Sequence, residues 1–283
     1  MLQATYGKSN VRVSKIKRPR EAAPADEHHD FIECSVDIHL QGGFDAAYTQ
    51  RDNRSVIATD TIKNTVYLLA QDDPMERVET FGRALARHFL DTYDHVDRAT
   101  ATLTQRHWRR LLDCPHAFSA GEAEVATTVC TADREHGLTL SAGLAHLLLA
   151  KTTQTGFTDF HRDAYRTLPD ADDRILATEL TASWAFADAT TPDAAAFADA
   201  ADTVRAALLR EFITGYSHSV QETLHRMATR ALDEVPAINS VTLNMPNRHH
   251  IPFNMEPFGR DNDNEIFVVT DAPAGYIEAT LTR

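Results

Sequence analysis

The sequence predicts an α+β fold in which antiparallel sheets carry helices on one face, and three observations predict it. Ile32 to Leu40 alternate without a break: Ile32, Cys34, Val36, Ile38 and Leu40 share one face, while Glu33, Ser35, Asp37 and His39 share the other. That is the period of a half-buried strand. From Glu76 to Tyr93 the period changes, and Val78, Phe81, Leu85, Phe89 and Tyr93 recur at helical spacing. Each half of the chain then reads in one order: strand, strand, helices, strand, strand.

Taken in order, a short first strand is expected from Asn10 to Lys15, and the Ile32–Leu40 strand ends at Gly42-Gly43. Apolar Val56 to Ala58 leads into Thr59-Asp60-Thr61, residue types that cap helices, so a short helix is expected there. Pro74 stands just before the Glu76–Tyr93 helix. Ala101–Trp108 and Ala123–Cys130 return to strand patterning, as do Leu138–Leu149 and Arg174–Trp184. Two amphipathic helices follow, Pro192–Ile213 on Val204, Leu208 and Phe212, and Ser217–Val235 on Val220, Leu224 and Met227. The segment from Asp188 to Ala201 is rich in Ala, Asp, Thr and Pro, so the first of these is expected to begin late. Val241, Leu243 and Met245 alternate, Met245 to His250 is expected as a loop, and strands at Ile266–Thr270 and Tyr276–Leu281 close the chain. Such sheets leave one face and their edges to water or to a neighbour, and self-association would satisfy both.

The 283 residues correspond to about two domains at roughly 150 residues each. A hydrophobic share of 43% with 24% charged residues is globular, and the net charge of −13 argues against nucleic acid or an anionic membrane surface as a partner. The longest apolar run, Leu140 to Ala150, is interrupted by Ser141 and His146 and is too short to span a bilayer. Cys34, Cys114 and Cys130 have no paired spacing and read as reduced thiols of a cytosolic protein. Dinucleotide, P-loop, zinc-helix and nucleophile-elbow motifs do not occur. The pairs His28-His29 and His249-His250 are weak metal signals, because neighbours on a strand point apart.

Five segments carry candidate chemistry. In Tyr6-Gly7-Lys8, Lys8 reads either as a solvated lysine or as a proton carrier. Thr59-Asp60 either caps its helix or offers free helix amides to an anion or carbonyl. Phe157 with Arg174 supplies a stacking face and a planar donor fork, as a flat anionic heterocycle requires, or else a core ring and a surface ion-pair residue. In Ser219-Val220-Gln221-Glu222, the Gln221 amide matches an edge with C=O beside N–H, or is simply solvated. Asn247-Arg248-His249-His250 places an amide beside an imidazole able to act as acid or base, or forms a surface turn.

Together these segments resemble the urate oxidase (uricase) family. Val56-Ile57-Ala58-Thr59-Asp60-Thr61-Ile62-Lys63-Asn64-Thr65-Val66-Tyr67 resembles its signature region. Tyr6-Gly7-Lys8, Phe157 through Tyr165, Asp173-Arg174, Ser219-Val220-Gln221 and Pro246-Asn247-Arg248-His249 lie in the family's order and near its spacing. The resemblance runs from Tyr6 to about Ile251.

The resemblance implies the tunnelling fold: two tandem ββααββ units, here 1–133 and 134–283, assembled as a barrel-like homotetramer with active sites between subunits. It implies oxidation of urate by O2 and water to 5-hydroxyisourate and hydrogen peroxide, a step of purine catabolism, without metal or organic cofactor. It implies Lys8, Thr59 and His249 as a proton relay, with Asn247 and Thr59 holding O2 or water. Phe157 would stack on the purine, Arg174 and Gln221 would bind its opposite edges, and the backbone N–H groups of Asp60 and Val220 would complete the in-plane set. The end Leu281-Thr282-Arg283 differs from the peroxisomal tripeptide of eukaryotic members, which implies a bacterial, cytoplasmic protein. Two alternatives stand beside this: a non-catalytic purine-binding member of the same fold, and a zinc-dependent pterin-forming cyclohydrolase, for which the three scattered cysteines offer no site.

Overall fold

The computed structural model describes residues 2–18 and 28–283, and all statements of structure below concern those residues. The first strand, β1 (Tyr6–Lys17), pairs antiparallel with β2 (Asp30–Gly42). The alternation in β2 is realised: Ile32, Cys34, Val36, Ile38 and Leu40 are all buried. The β1–β2 register shifts between Lys8 and Val11, where Asn10 adopts a positive φ of 56° and accepts a hydrogen bond from Ser35 Oγ at 2.8 Å. Gly7 is required there, because a Cβ would lie 1.7 Å from the carbonyl oxygen of Ile38.

A five-residue helix that the periodicity does not announce, α1 (Asp45–Thr49), precedes α2 (Thr59–Asp72) and α3 (Val78–Thr92). The helix at Thr59 is longer than its capping residues suggest, because Ile62, Val66 and Ala70 give it a buried stripe against β1. Helix α3 buries Phe81, Leu85 and Phe89 against β3 (Val96–Arg110) and β4 (Phe118–Asp133). Strand β3 pairs antiparallel with both β2 and β4.

Next come β5 (Gly137–Lys151), β6 (Leu176–Phe186), α4 (Ala194–Ile213), α5 (Val220–Glu234) and β7 (Ile238–Asn244). The late start of α4 has a cause: Asp193 Oδ1 accepts the Ala196 N–H at 2.9 Å and so stands at the helix's entrance. Arg174, expected on a strand, precedes β6, because its backbone bonds to Thr155 instead. The loop expected at Met245–His250 is largely a strand, β8 (Asn247–Pro252), which pairs with β6 and with β9 (Phe267–Gly275). Long-range partners order it, and a local pattern cannot show them. The last strand, β10 (Glu278–Thr282), pairs with β7, and α5 packs on both.

By compactness the described residues fall into two units. One runs to Leu144 and includes Trp184–Ala201; the other comprises Ala145–Ser183 and Asp202–Arg283. Cys34 and Cys130 are buried in the first, and burial pushes both thiols up to about 12. No helix among the described residues is long and apolar enough to cross a membrane, and no three His, Cys, Asp or Glu side chains gather as a metal site needs.

Candidate active site

The candidate residues divide into two sets, one on each unit. Lys8, Thr59 and Asp60 belong to the first; Phe157, Arg174, Val220, Gln221, Asn247 and His249 belong to the second.

In the first set, Tyr6 ties the strand to the helix. Its hydroxyl accepts the backbone N–H of Ile57 at 2.9 Å, and its ring meets Phe44 edge-on at 4.7 Å. Burial raises the Tyr6 phenol above its ordinary value, so it stays neutral. Lys8, two residues along β1 and half-buried, lies near enough to Asp60 to help hold that carboxyl down. The main cause is Lys63, which donates to Asp60 Oδ1 at 2.6 Å, while Asn64 donates to Oδ2 at 3.0 Å.

The capping alternative for Thr59 and Asp60 is not realised. The N-cap of α2 is Ala58, with no side-chain cap, and the first intrahelical bond runs from Ile62 N–H to Ala58 C=O. The amides of Thr59, Asp60 and Thr61 therefore have no acceptor within the helix, and the helix dipole adds positive potential there. Thr59 and Asp60 are exposed.

In the second set, three backbone segments are knitted together. Ser217 N–H donates to Gln154 C=O at 2.9 Å, and Gly156 N–H to Ser217 C=O at 2.8 Å. Phe157 and Ala171 exchange two hydrogen bonds, at 2.7 and 3.1 Å. Arg174 N–H donates to Thr155 C=O at 2.9 Å, and Thr155 Oγ1 returns a bond to Arg174 C=O at 2.8 Å. Gly156 is needed at the crossing, since a Cβ would stand 2.0 Å from the Tyr216 hydroxyl.

This knot leads directly into α5, whose N-cap Ser219 accepts the Glu222 N–H at 3.1 Å. Val220 and Gln221 are thus the first two helical residues, with unpaired amides of their own. Val220 is buried and Gln221 exposed.

The Arg174 guanidinium carbon lies 5.2 Å from the Phe157 ring centroid. Burial pulls its pKa down, yet a guanidinium remains charged in any ordinary buffer. Its Nε is buried and has no hydrogen-bond partner. The Phe157 ring also carries Phe160, parallel within 6° at 4.8 Å.

Arg174, Asn247 and His249 line one cleft of about 260 Å³, together with Ala171, Ile175 and Phe267. Asn247 is buried, and its Nδ2 lies 3.4 Å from His249 Nδ1. The residue between them, Arg248, shares a face with its ladder partner Ala177 and donates to Glu179 Oε2, whose other oxygen meets His146 Nδ1 at 2.7 Å. His146 is the first cause that lowers the Glu179 carboxyl. The pair fixes β8 against β6.

Chemically, the second set offers a planar cation beside an aromatic ring, an exposed amide at a helix start, and a buried amide next to an imidazole. The first set offers an amine, a hydroxyl and free helix amides. Tyr6, Thr155 and Phe160 support these groups without being among the predicted residues. Tyr6 and Phe160 lie within segments that the sequence singles out, whereas nothing in the sequence marks Thr155.

The family model described as uricase matches residues 4–136 and 140–278. The uricase of Arthrobacter globiformis is 36% identical over 99% of this chain and 89% of its own length. That of Dictyostelium discoideum is 32% identical over 100% of this chain and 97% of its own. The crystal structure of the Arthrobacter globiformis uricase superposes with a TM-score of 0.92, covering 100% of this chain and 94% of the other.

Proposed function

The chain belongs to the uricase family, and from that premise we propose that it oxidises urate with O2 as the electron acceptor at a site composed of both residue sets. The observation that carries this site is the convergence of Arg174, Asn247 and His249 on one cleft, with Phe157 against the same arginine. Two electrons leave the urate dianion for O2, water adds its oxygen to the purine, and 5-hydroxyisourate and hydrogen peroxide leave.

Phe157 stacks on the purine face. The Arg174 fork donates two hydrogen bonds to one edge, Gln221 reads the opposite C=O/N–H edge, and the amides of Asp60 and Val220 complete the plane. Lys8 activates the Thr59 hydroxyl, and His249 moves protons to and from the oxygen species that Asn247 and Thr59 hold above the ring. The protein's contribution is to stabilise an electron-rich dianion that can itself reduce O2.

We place the complete site between subunits of a homotetramer, where Lys8, Thr59 and Asp60 of one copy meet the second set of a neighbour. Two observations support that arrangement. The sets sit on different units, and Phe258, Val269 and Tyr276 present large apolar side chains to solvent. The proposed tandem units 1–133 and 134–283 follow the repeated element order, with α2 and α3 answering to α4 and α5. The three free cysteines fit a reducing cytoplasm.

The test is purified protein with urate, air and a chelator. Loss of near-ultraviolet urate absorbance with matching O2 uptake and peroxide is expected. Tight urate binding without O2 uptake would establish the non-catalytic alternative instead.

A further inference from the structure

Thr178 lies in β6 directly opposite Asn247 of β8. Residues paired across an antiparallel ladder point to the same face, with Cβ atoms about 5 Å apart. Thr178 is 0% exposed and Asn247 8%. Thr178 Oγ1 and Asn247 Oδ1 are both buried and both lack a hydrogen-bond partner. Protein interiors avoid one such atom; two face to face in one ladder pair call for a physical reason. A hydroxyl can donate and a carboxamide oxygen can only accept, so the two atoms are complementary. A hydrogen bond from the hydroxyl to the carboxamide oxygen, direct or through one shared water, would satisfy both.

The other end of the same carboxamide faces His249. Asn247 Nδ2 can only donate, so His249 Nδ1, 3.4 Å away, must be the acceptor. The ring proton of a neutral His249 then sits on Nε2. Rotating the carboxamide by half a turn reverses everything: Oδ1 would face Nδ1, the proton would have to move to Nδ1, and Nε2 would present a lone pair.

We propose that Thr178 is a positioning residue, whose hydroxyl holds the Asn247 carboxamide in one of its two orientations and through it fixes the tautomer of His249. The proposal rests on the reading of Asn247 and His249 as working residues of the urate site. Thr178 itself touches neither substrate nor oxygen. Its neighbour Glu179 acts on the opposite face of the same ladder, through Arg248, so the two effects are separable.

Thr178→Val and Thr178→Ser in the full-length protein test this. Valine keeps the volume and removes the hydroxyl; serine keeps the hydroxyl. Thr178→Val should lower kcat by about tenfold to a hundredfold, with affinity for an inert xanthine analogue and thermal midpoint close to wild type. Nitrogen-15 spectra of histidine-labelled protein, with His249 assigned by subtraction of His249→Gln, should change from one tautomer to a mixture. Thr178→Ser should restore both kcat and the single-tautomer spectrum. Wild-type kcat with an unchanged His249 signal in Thr178→Val would overturn the proposal, as would equal losses in the two variants. If the wild-type protein binds urate without consuming O2 but the His249 tautomer still responds to Thr178→Val, the oxidase reading fails and the positioning role stands.

Discussion

Replacing Arg174 with alanine should weaken binding of an inert xanthine analogue by about a hundredfold. The guanidinium lies over the Phe157 ring at 5.2 Å, and its backbone is pinned in both directions to Thr155. Its position is therefore set before a ligand arrives, and little ordering is left to be done on binding. Hydrogen bonds to charged groups contribute roughly 1.5–3 kcal/mol each, and two are at stake. The side chain is half-buried, so water screens part of this in the free protein, and about 3 kcal/mol is the appropriate scale for the pair. At 1.4 kcal/mol per factor of ten, that is about a hundredfold in Kd. Calorimetric titration of analogue into wild type, Arg174→Ala and Arg174→Lys measures it, with the thermal midpoint as a control for folding. Lysine keeps the charge but not the fork, so it should fall between the other two. An Arg174→Ala variant that is folded and binds the analogue as tightly as wild type would refute the placement of the purine edge at this arginine.

Other outcomes follow from the same geometry. Lys8→Met should lower turnover by about a hundredfold while leaving analogue affinity nearly intact; full turnover would remove Lys8 from the relay. Tyr6→Phe deprives the Ile57 N–H of its acceptor and should cost about 1–2 kcal/mol in urea unfolding, whereas unchanged stability would show that water replaces the phenol. Asp133 accepts the His136 backbone N–H and then Arg98, and these hold its carboxyl well below the usual range. The folded value lies below the unfolded one, so this stabilisation is present above the unfolded value of about 4 and fades as pH falls below it. Asp133→Asn should accordingly lower the thermal midpoint at neutral pH, with the gap to wild type narrowing in acid; a gap independent of pH would contradict this.

Much of the fold was legible where the signal is local. The alternation of β2 and the apolar stripe of α3 are written in the residues themselves, and both elements bury the residues that the period selects. What failed was decided by distant partners. Met245 to His250 looks like a polar loop, yet β6 and β9 supply the hydrogen bonds that make Asn247 to Pro252 a strand. Arg174 looks like the start of a strand, yet Thr155 captures its backbone first. The same limit applies to the candidate site. Phe157, Arg174 and the start of α5 share a backbone knot that their spacing cannot reveal, because it depends on which segments lie side by side. Thr178 reads as one more core position of a strand, and only the ladder shows that it stands opposite Asn247.

The strand β8 carries a constraint of parity. Pro246 and Pro252 bracket five residues, and neither proline has an amide hydrogen to lend to a ladder. Asn247 and His249 line the cleft, while Arg248 between them sends its guanidinium to Glu179. Losing or gaining a single residue between the prolines would exchange the two, setting a guanidinium where the carboxamide now stands while leaving composition, charge and hydropathy almost untouched. Engineering of this segment can therefore tolerate changes of side chain far more readily than any change in their number.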